Sequence, residues 1–250
     1  MNEQRWIVVP AAGKGERMGA QRPKQYMMLA GGSVLQTTLS QLLKVPNVEG
    51  IVVVLSADDS LWPTVNAGND PRVHTTIGGQ TRAESVSAGL TFVLEQCRPD
   101  TWVFVHDAAR PLIQLSDVQR LSDAVYNSGA MGGILATPVQ DTLKQASEYY
   151  GIERTVNRDE LWQAQTPQLF RVGELANALK KAIEEDNETA EALDHQKSND
   201  NQPALLTDEA SAMERLGHEP LLVEALQPNF KITRPVDLTI ANALLGVHPS

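Results

Sequence analysis

The chain has 250 residues, enough for one large domain or one domain with an appendage. Its hydrophobic content of 42% is ordinary for a globular protein, its formal net charge is -10, and it holds one cysteine, Cys97. The charge argues against broad nucleic-acid binding, the lone cysteine excludes an intrachain disulfide, and no apolar run nears the roughly 20 residues of a membrane helix.

The first residues lack the charged, apolar and small-residue zones of a secretion signal, so a cytoplasmic protein is expected. Trp6–Val9 reads as a short buried strand, and the glycine-rich stretch Pro10–Met27 follows it. Glycine has no Cβ to block a phosphate from backbone N–H groups, and Arg17, Arg22 and Lys24 supply charge for a polyphosphate. Gly13, Gly15 and Gly19 space as G-x-G-x-x-x-G, which is not the dinucleotide fingerprint, and Met18 stands where a P-loop needs its second glycine. A nucleoside triphosphate near a reaction centre is the expected ligand.

Further strands are predicted at Ile51–Leu55, Val73–Ile77, Trp102–Val105 and Gly133–Ala136. Capping boxes at Ser33–Gln36, Thr81–Glu84 and Ser116–Gln119 open the helices between them. Alternating strands and helices predict an α/β fold: a mainly parallel, Rossmann-like sheet whose ligands bind at the carboxyl ends of its strands. From about 138 to 163 the apolar content falls, with strand-like pieces at Asp141–Lys144 and Gly151–Val156. This reads as a protruding β-arm in an otherwise single domain, and a second copy of the chain is the simplest surface for it to pack on. Val172–Ile183 is a predicted helix, and Glu184–Pro203 a polar loop with some helix around Ala190–Leu193. Thr207 reads as an N-cap, Glu219–Val223 and Asn229–Ile232 as strands, and Val236–Leu245 as a final helix.

PAAGKGERM with PKQY, then GGQTRAESV, HDAARP, TVNRDELWQAQTPQLF, TDEASA and NFKITRPVD resemble, in order, the 2-C-methyl-D-erythritol 4-phosphate cytidylyltransferases. The polar stretch Glu188–Pro203 departs from that pattern by its length. The resemblance implies a nucleotidyltransferase fold and transfer of CMP from CTP to methylerythritol phosphate, releasing pyrophosphate. The nucleophile is a phosphate oxygen already anionic near neutral pH, so alignment and charge neutralisation suffice without a general base. A cytidylyltransferase for another polyol phosphate, such as ribitol 5-phosphate, stands as the alternative.

By the same resemblance, Arg17 and Lys24 are the transition-state cations at the triphosphate, and Arg158 and Lys231 position methylerythritol phosphate. Ala11, Ala12, Gly13 and Gly15 present backbone groups to the nucleotide, while Gly79 and Ser85 read cytosine. Arg82 supports that loop. Asp107 and Arg110 face the substrate, with Asp107 near Mg²⁺ directly or through water. Thr142, Thr166 and Thr207 add hydroxyl contacts. His106 is expected to be packed or hydrogen-bonded rather than an acid–base catalyst. Arg158 is expected to reach the neighbouring site of a homodimer.

Overall fold

A computed structural model of the chain describes residues 4–13, 22–193 and 206–246. Seven strands form the main sheet: β1 (Arg5–Pro10), β4 (Val48–Leu55), β5 (Val73–Ile77), β6 (Trp102–Val105), β7 (Gly132–Pro138), β10 (Trp162–Arg171) and β11 (Leu221–Glu224). Their order is β11-β7-β10-β6-β1-β4-β5. All are mutually parallel except β10, which runs antiparallel to both β6 and β7. Two short strands, β2 (Met28–Leu29) and β3 (Gly32–Ser33), pair separately, as do β8 (Leu143–Ala146) and β9 (Ile152–Val156).

The central strands are apolar at nearly every position because both faces are covered. Side-chain alternation divides them. Ile7, Val9, Ile51, Val53 and Phe104 join one core with α1 (Val34–Leu42) and α3 (Leu115–Ser128). Trp6, Val8, Val52, Val54, Val103 and Val105 join the other core, with α2 (Arg82–Leu94), α4 (Val172–Leu193) and α5 (Glu209–Arg215). Gly89 lets α2 lie close on the sheet; a Cβ there would stand 2.5 Å from Val8 Cγ1. A last helix, α6 (Pro235–Leu244), helps bury Leu29, Val34 and Ile232 in a smaller cluster.

Several local expectations need correction. The Thr81 box is complete, but Ser33 makes only its own half, accepting from the Gln36 N–H. The third box does not form, because α3 starts two residues earlier than a Ser116 cap implies and has Gln114 as its N-cap. Asp208, not Thr207, caps α5, in a reciprocal box with Ser211. Residues 184–189 continue α4 instead of forming a loop, and the helix expected around Ala190–Leu193 is the end of the same helix; the rest of the expected loop lies outside the described residues. Asn229–Ile232 is not a strand but an irregular strap. Strand β10 was not expected at all. Its register against β7 shifts between Ala164 and Gln168, where Pro167 offers no N–H to a ladder.

The arm is present as the β8–β9 hairpin. It grows from between β7 and β10, whose register at its root pairs Pro138 with Trp162. Tyr149 and Tyr150 at its tip are almost wholly exposed.

Candidate active site

From β1 the chain turns to α1 and β4 on one side, while β6 lies on the other. The connections therefore part between β1 and β6, the place where an open α/β sheet leaves a crevice at its carboxyl ends. A cleft of about 730 Å³ opens there. Its walls are Pro10–Gly13 after β1, Ser56 and Ala57 after β4, Gly78–Arg82 after β5 and Asp107–Ala109 after β6, with Lys24, Gln25, Ser85, Lys231 and Thr233. Of the expected residues, Ala11, Ala12, Gly13, Lys24, Gly79, Ser85, Asp107 and Lys231 are thus brought together. Gly15 and Arg17 lie outside the described residues.

The glycine loop is held from below. The buried Gln25 donates from Nε2 to the carbonyls of Ala11 and Gly13, at 2.7 and 3.0 Å. Ala11, on the cleft wall, also donates its N–H to the Val54 carbonyl, which ties the start of the loop to β4. A Cβ on Gly13 would meet no described atom within 4 Å, so no described side chain requires the glycine for packing. Lys24 begins a short 3₁₀ turn, Lys24–Tyr26, whose next two side chains are buried. The Tyr26 hydroxyl donates to Asp59 at 2.7 Å, which anchors the turn. Burial and that carboxylate both push the Tyr26 pKa up.

Across the cleft, the Ser85 hydroxyl donates to the Thr81 carbonyl at 2.9 Å. A Cβ on Gly78 would stand 2.6 Å from Ser85 Oγ, so Gly78 is small to admit the serine.

Asp107 is the centre of charge. Its Oδ1 accepts from Arg82 Nε and Nη2 at 3.3 and 3.2 Å. Its Oδ2 meets Arg110 Nε at 3.3 Å and Lys231 Nζ at 3.0 Å. Burial alone would raise its pKa, but Arg82, Lys231 and Arg110 outweigh burial and hold it well below the usual carboxylate range. Arg82 in turn forks onto the fully buried Glu209, Nη1 to Oε1 at 2.6 Å and Nη2 to Oε2 at 3.2 Å. Burial pushes the Glu209 carboxyl up, against the pull of Arg82.

Lys231 arrives on the strap. Ile232 donates its N–H to the Ala109 carbonyl, Arg110 Nη1 donates to the Asn229 carbonyl, and Asn229 Nδ2 to the Thr166 carbonyl. The buried Thr166 hydroxyl accepts the Asp107 N–H at 3.0 Å and lies 3.2 Å from His106 Nδ1. His106 Nε2 is 3.0 Å from the Arg110 carbonyl, which can only accept, so Nε2 carries the proton and Nδ1 takes the Thr166 hydroxyl hydrogen. Burial lowers His106 to about 4, so the ring is a neutral brace. The Thr166 hydroxyl takes part in that brace and is not on the cleft wall.

Arg110, also off the cleft wall, orients Asp107 from behind. Thr142, Arg158 and Thr207 are exposed and outside the cleft of their own chain. Arg158 belongs to the turn between β9 and β10, where its carbonyl accepts the Leu161 N–H. Gln25 and Glu209 carried no assignment from the sequence. Gln25 is adjacent to Lys24 in PKQY, and Glu209 lies within TDEASA.

Among the described residues no group of three or more His, Cys, Asp or Glu side chains could hold a metal ion. Asp107 is the one acid on the described cleft wall, and it already faces three cations. This donor set suits a divalent ion held mainly by phosphate oxygens, with Asp107 in reach through water.

Residues 6–247 match the family model for 2-C-methyl-D-erythritol 4-phosphate cytidylyltransferase. The chain is 47% identical over 233 residues to the enzyme of that name from Stenotrophomonas maltophilia, covering 93% of each. It is 42% identical over 234 residues to that of Pseudomonas putida, covering 93% of this chain and 92% of the other. A crystal structure of 4-diphosphocytidyl-2C-methyl-D-erythritol synthase superposes with a TM-score of 0.78 at 36% identity, over 98% of this chain and 100% of the other. The Francisella tularensis 2-C-methyl-D-erythritol 4-phosphate cytidylyltransferase structure gives 0.78 at 34% identity, over 96% and 99%.

Proposed function

We propose a division of labour for this chain, which belongs to the 2-C-methyl-D-erythritol 4-phosphate cytidylyltransferase family and transfers CMP from CTP to methylerythritol phosphate. A phosphate oxygen of the acceptor attacks the α-phosphorus of CTP. The new O–P bond forms as the bond to the β-phosphate oxygen breaks and pyrophosphate leaves. One observation carries the reading: the glycine loop and the cations Lys24, Arg82 and Lys231 line one cleft whose only described acid is already neutralised.

Lys24, with Arg17, stabilises charge on the triphosphate as the α-phosphorus becomes five-coordinate. Ala12, Gly13 and Gly15 face the phosphates, and Gly79 and Ser85 receive the cytosine. Asp107, oriented by Arg110, and Lys231 hold the acceptor, with Thr142, Thr166 and Thr207 contributing hydroxyls. Mg²⁺ would be held mainly by the phosphates, with Asp107 the protein group that would meet it directly or through water, and would supply charge neutralisation there. Pyrophosphate release with CTP and methylerythritol phosphate, against CTP and ribitol 5-phosphate, tests the acceptor. Release with the first at least ~10-fold faster is expected; the reverse preference would refute the reading.

The chain acts as a cytoplasmic homodimer of one-domain subunits, each lending its arm to the other. Support comes from the arm's exposed face and from Arg158, which lies outside its own cleft. Mixing Lys24→Ala subunits with Arg158→Ala subunits, each inactive alone, checks this. In a heterodimer one site then keeps both cations, and random pairing restores roughly a quarter of native activity. No recovery after subunit exchange would place Arg158 in its own chain's site or outside catalysis.

A further inference from the structure

We infer that Glu209 is a positioning residue for the transfer reaction: it fixes the plane of the Arg82 guanidinium and thereby the disposition of Asp107 toward the acceptor. The inference rests on the cleft being the site of that reaction. Glu209 is fully buried and absent from the cleft wall, so any influence it has on a ligand passes through what it touches. It touches Arg82 with both carboxylate oxygens. Arg82 reaches Asp107 through a single oxygen, Oδ1. A guanidinium tied at one atom can pivot about that contact. A second fork on its other edge removes the pivot.

Fold stability alone does not explain an acid here. Taking ionised groups out of water is costly, and replacing a whole buried ionic set by apolar side chains of similar volume is often neutral for a fold. Three cations and two carboxylates form the continuous set Glu209–Arg82–Asp107 with Arg110 and Lys231. Asp107 and Lys231 are the members on the cleft wall besides Arg82. Glu209 opens α5, so the same contact ties the amino end of that helix to the amino end of α2, which begins at Arg82. A shift of Arg82 therefore changes the acceptor side first and leaves the glycine loop and Lys24 in place.

Steady-state kinetics of Glu209→Gln, Arg82→Lys and the double variant test this, with thermal melting alongside. The amide of Glu209→Gln keeps the volume but turns one acceptor into a donor facing Arg82. The expected result is a KM for methylerythritol phosphate raised at least ~10-fold, a KM for CTP within about two-fold of native, and a double variant no worse than the worse single. If Glu209→Gln melts below the assay temperature, Glu209→Asp replaces it under the same criteria, since it keeps the charge but falls a methylene short of Arg82. A folded variant with an unchanged acceptor KM, or effects that simply add, overturns the inference. Asp107→Asn in the same assay separates the failures. An unchanged acceptor KM there overturns the cleft reading and this inference with it; a raised KM there beside an unaffected Glu209 variant overturns the inference alone.

Discussion

Lys24→Ala is expected to lower turnover at least ~10²-fold, the scale of losing one preorganised donor at a charged transition state. The expectation comes from how the side chain is delivered. Lys24 opens a turn whose next residue clamps the Ala11 and Gly13 carbonyls, and whose third residue is pinned to Asp59. The ammonium therefore starts from a backbone that does not rearrange when charge develops on the phosphate. Gln25 and Tyr26, not Lys24, are the buried anchors of that turn, so the substitution should leave the fold intact. Single-turnover measurements with saturating CTP give the relevant rate. A melting temperature near native with turnover reduced less than about five-fold would remove Lys24 from the catalytic step.

Asp107→Ala is expected to damage both stability and activity. Three cations converge on this carboxylate within 3.3 Å, and its removal leaves them facing each other in a largely buried site. Breaking a buried ionic set from one side typically costs about 3–5 kcal/mol. Denaturant unfolding of native and variant protein measures that loss, and a change under about 1 kcal/mol would contradict it. The pH dependence has a definite sign. The folded carboxyl is held below its unfolded value, so its contribution is complete above the unfolded pKa of 3.8 and fades as pH falls below it. In the variant, the part of acid destabilisation due to this group should vanish.

Much of the fold was legible because its strands are short, apolar and β-branched, and helical caps punctuate them. Trp102–Val105 was read to the residue, and the Thr81 box forms as expected. The loops with site motifs fall at carboxyl ends of parallel strands, as the alternation implied. Strand β10 escaped because Trp162–Gln165 is polar and exposed in part and Pro167 interrupts the ladder, so neither periodicity nor composition marks a central strand. The strap at Asn229–Ile232 has enough apolar character for a strand but no edge to pair with. It is fixed instead by isolated bonds to Ala109, Arg110 and Thr166. Local pattern could not reveal Glu209 either, since its partner lies 127 residues away in the chain. Thr166 stands out in the sequence as a hydroxyl suited to a substrate; what its surroundings add is that the same hydroxyl holds the His106 ring and the Asp107 backbone N–H of the HDAARP loop.

The arm's root has a consequence for variation. Arg158 lies not at the tyrosine-bearing tip but beside the root, in the turn that hands the chain to β10. The Val139 N–H meets the Leu161 carbonyl across that root, and the next pairs belong to the sheet itself. The hairpin is thus a cantilever clamped by the main sheet, with Arg158 near the clamp. Residues at the free end can change in identity or number, trading one contact surface for another, without moving the backbone that carries Arg158.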